Sequence, residues 1–260
     1  VYHAIITSST VAARRGIAPQ TFLTMLAHAG WRGWTGYTLA DDVVDGDRGD
    51  GVINLLVAHY LIRASLEGYL SVADLLSSRD RVAFKVLVET TFAGMDEAMN
   101  WELRYCRAQS AEEKLLPEKF STRAMPRYGS YDVLAKRSMG HALGAVCVLV
   151  AGTGGGFRIA SKEVRGMLKV FHHVIIARQL NDDAHDWAGD LRTGKINSVA
   201  ALLMNAVSKK TVQRSSDIMV LQRLFWKSGM REVARIIMRH ADQARQALVP
   251  LRRVMKTELF

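Results

Sequence analysis

Asp41-Asp42-Val43-Val44-Asp45 and, about 140 residues later, Asp182-Asp183-Ala184-His185-Asp186 share the pattern D-D-x-x-D, and each follows a largely apolar helical run. Residues four apart lie on one face of a helix, so the first and last aspartates of each motif point the same way. Like charges on one face repel unless cations neutralise them. Two such faces in one chain indicate a pocket that holds divalent metal ions and, through them, phosphate groups.

The sequence around the two motifs is helical in pattern almost throughout. Ala, Leu, Met and Arg are abundant, apolar residues recur at intervals of three and four, and alternating strand patterns are absent. We therefore predict a single all-α domain over residues 1–260, built around one core. The predicted helices span 3–14, 19–45, 51–77, 79–108, 128–151, 161–188, 195–207, 215–227 and 229–256.

Composition limits where such a protein works. The 260 residues are 49% hydrophobic, which is enough for one large core. Two cysteines, Cys106 and Cys147, cannot build a disulfide framework, so we expect a reducing, cytoplasmic setting. No signal-peptide pattern is visible, although the chain begins at Val1 rather than at methionine. The longest apolar run, 142–156, is too short and too rich in glycine to span a bilayer, so we expect no stable membrane insertion.

The chain is strongly basic, with 35 Lys and Arg against 25 Asp and Glu and a formal net charge of +10. A basic surface suits an anionic partner such as nucleic acid, anionic lipid or a diphosphate. No nucleic-acid-binding signature and no basic motif with interleaved aromatic residues is recognisable, so we expect no nucleic-acid partner. Taken alone, the charge is more typical of an ordinary basic soluble protein.

Each aspartate motif also has a plain structural interpretation. The first is predicted at the end of a helix, where carboxylates oppose the helix dipole, and the alternative is a solvated acidic helix end. The second continues a helix whose preceding residues, 170–180, are largely apolar. Buried carboxylates at Asp182, Asp186 and Asp190 would be costly without a metal or arginine partner, and the alternative is an exposed polar helix end.

Together the motifs resemble the two aspartate-rich motifs of the class I isoprenoid synthases, which include trans-prenyl diphosphate synthases and class I terpene synthases. Residues 39–47 resemble the first motif, and residues 179–195, with the trailing Gly194-Lys195, resemble the second. Residues 131–152 resemble the helix that carries a diphosphate-binding lysine in prenyl synthases. The resemblance covers roughly residues 1–210.

This resemblance implies a bundle of long antiparallel helices around a central apolar cavity, with the two motifs facing each other at its mouth. They would hold three Mg²⁺ ions, which bind the diphosphate of an allylic prenyl substrate, and a homodimer is expected. The physics is consistent, because ionising the C–O bond develops negative charge on the leaving diphosphate, which metals and cations stabilise. The carbocation left behind needs an apolar, aromatic wall that excludes water.

Site residues follow from the resemblance by position. It implies catalytic carboxylates at Asp41, Asp42, Asp45, Asp182 and Asp186, with Asp42 and Asp186 in supporting roles. It implies metal ligands at Asp41, Asp45, Asp182, Asp183 and Asp186. It implies diphosphate-binding cations at Arg48, Lys136, Arg137, Arg178 and Lys195. For each cation the alternative is an ordinary solvated side chain.

Departures from the family pattern distinguish between terpene synthases and prenyl diphosphate synthases. The glycine-lysine-arginine motif that binds isopentenyl diphosphate in chain-elongating enzymes would fall just before Val1 and is not in this sequence, and only Arg48 stands where those enzymes have an arginine pair. An enzyme that ionises one allylic diphosphate and cyclises or quenches the cation needs neither, so we favour a terpene synthase. The alternatives are a chain-elongating or head-to-head prenyl diphosphate synthase and a non-catalytic subunit of a heteromeric prenyl synthase. An HD-type metal phosphohydrolase, suggested by His185-Asp186, would leave the first motif without a role.

Overall fold

The structure, a computed structural model, describes residues 18–45, 51–108, 125–152, 157–208 and 218–252. The predicted helix at 3–14 lies outside these ranges. The described helices are α1 (Pro19–Asp45), α2 (Gly51–Ala73), α3 (Ser78–Tyr105), α4 (Asp132–Ser138), α5 (His141–Gly152), α6 (Lys162–Arg192), α7 (Ser198–Ser208), α8 (Ile218–Leu224) and α9 (Met230–Ala247). A π-helical turn, Phe225–Gly229, joins α8 to α9, and a 3₁₀ turn, Val249–Leu251, follows α9.

The described part of the chain is all-helical, which confirms the predicted fold class at that level. Helix α1 has the predicted bounds, and α6 extends to Arg192, four residues beyond the predicted end. The predicted helix at 128–151 is two helices, α4 and α5, separated by Met139 and Gly140. A side chain at Gly140 would lie 3.1 Å from the sulfur of Met95, so the break also allows a close approach between segments.

Among the described residues, no single helix combines the length and the apolar content of a membrane span. Helices α4 and α5 reach both only when the two are taken together.

The described residues form two compact units, each assembled from separate stretches of sequence. Unit 1 contains the described residues within 1–95, 138–171 and 247–260, and unit 2 contains those within 96–137 and 172–246. The prediction of one domain over the whole chain stays a prediction.

Unit 1 is built on a tightly packed pair, α1 and α2. Three glycines of α1 at intervals of three, Gly30, Gly33 and Gly36, face α2. A Cβ at Gly33 would lie 2.7 Å from Oγ of Ser65, and one at Gly36 would lie 3.0 Å from a backbone carbonyl. Ser65 is fully buried and donates a 2.7 Å hydrogen bond to the carbonyl of Ala29. The missing side chains therefore allow the two helix backbones to pack closely.

Unit 2 has two clusters of buried apolar residues. The larger joins the last turns of α6 to α7 and the π-helical turn, with Trp187, Leu203 and Phe225 among its members. The rings of Trp187 and Phe225 lie 5.7 Å apart. The smaller cluster joins α4, α6 and α9 through residues that include Leu134, Ile176 and Ile236. These contacts hold α6 on two sides and fix the helix that carries the second aspartate motif.

Candidate functional site

The first aspartate motif occupies the last turn of α1, in unit 1. Asp41 and Asp42 are partly buried, and Asp45, the last residue of the helix, is exposed. Because this is the C-terminal turn, its carboxylates lie at the negative end of the helix dipole, as predicted. The last turn of this described helix contains no basic residue. Arg48, the cation predicted to follow this motif, lies outside the described residues.

The second motif lies within α6, in unit 2, two turns before the helix ends. Asp182 is partly buried and Asp186 is exposed, so these two residues form the outward side of the motif. Nε of Arg178 lies 3.8 Å from Asp182, and this arginine side chain is 80% exposed. Arg178, predicted to bind diphosphate, therefore forms a solvated ion pair one turn away.

Asp183 is the buried member of the motif, only 7% exposed. Its carboxylate accepts hydrogen bonds from Nε2 of Gln179 at 3.0 Å, from the backbone N–H of Ser198 at 3.0 Å and from Oγ of Ser198 at 2.5 Å. Burial raises the pKa of Asp183, and the hydrogen bonds from Ser198 and Gln179 and the charge of Lys195 oppose that rise. Metal binding by Asp183, as predicted, would require it to give up these bonds to the start of α7.

Asn197 completes the junction between α6 and α7. Its Oδ1 accepts from the backbone N–H groups of Val199 and Ala200 at 3.1 and 2.9 Å, which caps the N-terminus of α7. Its Nδ2 donates to the carbonyl of Asp183 at 3.1 Å and to the carboxylate of Asp190 at 2.8 Å. Asp190, the third carboxylate of the predicted i, i+4, i+8 series, thus has a structural partner of its own.

The backbone conformation at the end of α6 explains the Gly194-Lys195 pair that follows the motif. Gly194 has a φ of +86°, and the N–H of Lys195 bonds back to the carbonyl of Asp190 at 2.7 Å. This is a helix C-cap that favours glycine, because L side chains are strained at that φ. The chain then forms an isolated bridge between Lys195 and Arg107, at the end of α3. The glycine therefore directs the lysine back toward α3.

Three cationic side chains meet at Glu102, near the end of α3. Nη2 of Arg107 lies 3.0 Å from Oε1, Nη1 of Arg137 lies 2.7 Å from Oε2, and Nζ of Lys195 lies 3.8 Å from Oε1. All four side chains are between 14% and 21% exposed, so water screens their charges only in part. The group has a formal charge of +2, from three cations and one carboxylate. We call these four residues the Glu102 cluster.

A small pocket opens beside the Glu102 cluster, within unit 2. Its volume is about 20 Å³, room for one or two water molecules. The side chains that line it include Trp101, Tyr128, Arg137, Asp183 and Lys195. It therefore brings together two predicted diphosphate-binding cations and one aspartate of the second motif. A larger anion would bind at its open side or displace side chains.

Lys136, the neighbour of Arg137, does not line this pocket. Its Nζ lies 3.5 Å from the carboxylate of Glu97, and the two side chains are 55% and 71% exposed. Consecutive residues of a helix point in directions about 100° apart, so only one of the pair can face the pocket. Of the two middle-helix cations predicted to contact diphosphate, Arg137 is the one in the pocket.

The acidic side chains fit Mg²⁺ unequally. Mg²⁺ is commonly held by one or two carboxylates and several waters, and partly exposed aspartates at i and i+4 supply such donors. By spacing and exposure, Asp182 with Asp186 and Asp41 with Asp45 meet that description. Asp183 is buried and accepts hydrogen bonds from Gln179 and Ser198. In the part of the chain that the structure describes, no three His, Cys, Asp or Glu side chains are grouped as a metal site.

The thiol of Cys106 also lines the pocket. Burial raises the pKa of Cys106 to about 12, so the thiol stays protonated at neutral pH. Its Sγ lies 3.3 Å from the hydroxyl of Tyr128, which donates to the carbonyl of Ile196 at 2.8 Å. Burial also raises the pKa of Tyr128. These two residues line the pocket as neutral groups.

A group of histidines lies elsewhere in unit 2. Nδ1 of His173 lies 3.1 Å from Nδ1 of the buried His240, and Nε2 of His172 lies 3.1 Å from the carboxylate of Asp132. His185, the candidate for a phosphohydrolase motif, instead bonds through Nδ1 to the carbonyl of Asn181 on its own helix at 2.7 Å. The histidine of that motif is thus engaged locally on the helix surface.

Glu102, Arg107 and Asn197 were missed by sequence reasoning. Glu102 and Arg107 lie in a mixed polar stretch with no distinctive spacing, and only the fold brings them to Lys195 and Arg137. Asn197 carries a weak signal, because an Asn just before a helical segment, here Ser198 and the apolar run 199–204, is a favoured helix cap.

Comparison with known families gives no matching family model, and no curated protein matches the chain significantly.

Proposed function

We propose that the protein is a Mg²⁺-dependent class I terpene synthase, which ionises an allylic prenyl diphosphate and cyclises or quenches the carbocation. The observation that carries this proposal is the Glu102 cluster. Two cations chosen from the sequence as diphosphate ligands, Arg137 and Lys195, reach the same carboxylate beside the helix of the second aspartate motif. Nothing in their sequence separation requires that meeting.

Acidic residues of the chain would bind the metal, and basic residues would bind the diphosphate. Asp182 with Asp186 in unit 2, and Asp41 with Asp45 in unit 1, would each hold Mg²⁺, whose positive charge would stabilise the departing diphosphate. Arg137 and Lys195, with Arg107 behind them, would hold the phosphate oxygens through charge-assisted hydrogen bonds. Partial burial strengthens these contacts compared with contacts in bulk water. Asp183 would keep the start of α7 in place rather than bind the ion.

Product analysis tests the proposal directly. The protein is incubated with Mg²⁺ and geranyl, farnesyl or geranylgeranyl diphosphate, each with and without isopentenyl diphosphate, and the extract is examined by mass spectrometry. A hydrocarbon or alcohol formed from an allylic diphosphate alone supports a terpene synthase. Longer diphosphates formed only with isopentenyl diphosphate would replace it with chain elongation. The absence of any conversion would refute both enzymatic assignments.

A further inference from the structure

The outer side of unit 2 carries two rows of residues along α8, the π-helical turn and α9. One row is basic and repeats every four residues: Arg223, Lys227, Arg231, Arg235 and Arg239. The other is apolar and precedes it by one residue: Trp226, Met230, Ala234 and Met238. All nine side chains are exposed, and Trp226 is the most exposed large apolar residue of the second row, at 70%. We call these nine residues the basic–apolar face.

The π-helical turn keeps the two rows together. In a regular α-helix, residues four apart advance by about 40° around the axis, so a row with that period winds off its face. The wider π-helical turn at Phe225–Gly229 turns the chain back and offsets part of that drift. Phe225 and Gly229 are buried within the same turn, and Trp226 and Lys227 lie outward between them.

The segment from α8 to α9 carries an excess of positive charge. Residues 218–247 contain six Lys or Arg and two Asp or Glu. The two acids form exposed ion pairs within α9, Arg235 with Glu232 at 2.6 Å and Arg245 with Asp242 at 3.5 Å. Four cations remain in formal excess along a face about 24 Å long from Arg223 to Arg239, at 1.5 Å per residue.

We propose that the basic–apolar face docks the protein on an anionic lipid surface. Arginine and lysine are attracted to acidic headgroups, and exposed Trp and Met can enter the boundary between headgroups and acyl chains. Tryptophan is favoured at that boundary because its ring is apolar and its N–H is polar. Docking of this kind is peripheral and inserts no helix across the bilayer.

The apolar row distinguishes lipid from the other large polyanion, nucleic acid. Phosphate recognition by nucleic-acid-binding proteins uses cations and hydrogen-bond donors, and exposed methionines contribute neither. Met230 and Met238 are 49% and 58% exposed, and each lies directly before an arginine of the basic row. A lipid surface uses both rows at once, whereas a duplex uses only one.

Vesicle co-sedimentation tests the proposal without requiring any enzymatic activity. The full chain is mixed with vesicles of phosphatidylcholine alone or of equal parts phosphatidylcholine and phosphatidylglycerol. We expect sedimentation with the acidic vesicles only, and its loss at about 0.5 M salt, where charges are screened beyond a few ångströms. Arg231→Glu with Arg239→Glu should lower the partition coefficient at least about tenfold. Trp226→Ala should lower it severalfold and leave the salt dependence in place.

Lys162→Glu with Lys169→Glu is the matched control. Both lysines are exposed on α6 in unit 1, and the net charge changes by the same amount. Circular dichroism establishes that all variants are folded. Equal binding by the two double variants, equal binding to neutral vesicles or no binding to either vesicle would each overturn the proposal. Tighter binding to a DNA duplex than to acidic vesicles, at the same salt concentration, would overturn it in favour of nucleic acid.

Discussion

Lys195 is the residue at which the sequence motif and the Glu102 cluster meet. Its Nζ lies 3.8 Å from Glu102, and its charge lowers the pKa of both Asp183 and Asp190 against the effect of burial. Three carboxylates therefore attract this one side chain. If the cluster binds diphosphate, Lys195 supplies one charged contact to it.

Lys195→Ala should weaken the binding of inorganic diphosphate by on the order of 1.5–3 kcal/mol, the range for a charge-assisted hydrogen bond. Isothermal titration calorimetry in the presence of Mg²⁺ measures the change. Lys136→Ala is the control, because that lysine is exposed and pairs with Glu97 outside the pocket. Identical affinities for the two variants would remove Lys195 from the binding site.

His240 should make the free energy of unfolding depend on pH in the acid range. Burial, and then the charges of His173, Arg239 and His172, lower its pKa from 6.5 to about 4, and Asp132 opposes this. Tyr131 from the start of α4 also packs against its ring. Because the folded pKa is lower than the unfolded pKa, the unfolded chain takes up the proton first as the pH falls. The contribution of neutral His240 to stability is therefore complete above pH 6.5 and is lost toward pH 4.

His240→Asn should flatten this acid dependence. The asparagine amide can replace Nδ1 in the contact with His173, and it does not titrate. Urea unfolding of the wild type and the variant between the two pKa values measures the effect as the slope of the free energy of unfolding against pH. Parallel slopes for the two proteins would show that another group controls the response.

At the scale of elements, the junction of α6 and α7 depends on buried polar contacts. Asp183→Asn replaces an acceptor of three hydrogen bonds with an amide, and it should lower the free energy of unfolding by on the order of 1–3 kcal/mol. Asp182→Asn, at a partly exposed position, should change it by less than about 0.5 kcal/mol. Chemical denaturation without added metal makes the comparison. A destabilisation of equal size at both positions would contradict the assigned roles.

The α1–α2 pair depends on close backbone approach. Gly36→Ala places a Cβ 2.8 Å from Ile62 and 3.0 Å from the carbonyl of Ala58, so we expect a loss of roughly 1–3 kcal/mol in stability. Gly94→Ala is the control within α3, since nothing lies within 4 Å of its added Cβ. That substitution should stabilise the helix by about 0.5–1 kcal/mol. Thermal unfolding distinguishes the two, and a stabilised Gly36→Ala would disprove the packing argument.

At the scale of the whole molecule, inorganic diphosphate should stabilise the protein only when Mg²⁺ is present. A ligand that binds only the folded state at a hundred times its dissociation constant adds about 2.7 kcal/mol. Differential scanning fluorimetry detects this as a higher unfolding temperature. Asp41→Ala and Asp182→Ala should each remove most of the shift and leave the unliganded protein folded. A full shift in either variant would exclude that motif from binding.

The helices of this chain were largely predictable because each needs only local information. The bounds of α1 follow from apolar periodicity between Pro19 and the acidic, glycine-rich stretch at 46–51. The break at Met139–Gly140 was missed, because apolar residues continue on both sides of it. The π-helical turn lies where the predicted helices 215–227 and 229–256 leave a one-residue gap, but its wider winding was not predicted.

Only some residues of the candidate pocket were named from the sequence, and its geometry was not predictable. Arg137 and Lys195 were selected by resemblance, and the sequence could not distinguish Arg137 from Lys136 because helix rotation decides which side chain faces inward. Glu102 could not be predicted from the sequence, since its ion-pair partners lie 5, 35 and 93 residues away. Such contacts depend on tertiary packing, which local patterns do not encode.

The wide turn at Phe225–Gly229 also bears on how this gene can change length. Loss of one codon there would let the turn close as an ordinary α-helical turn, because a π-helical turn holds one residue more than an α-helical turn. Val233, Ile236 and His240 would then keep their places in the interior, whereas loss of a codon within α9 would rotate everything downstream by about 100°. Alignment gaps in descendants of this chain should therefore fall within residues 225–229 rather than within α9.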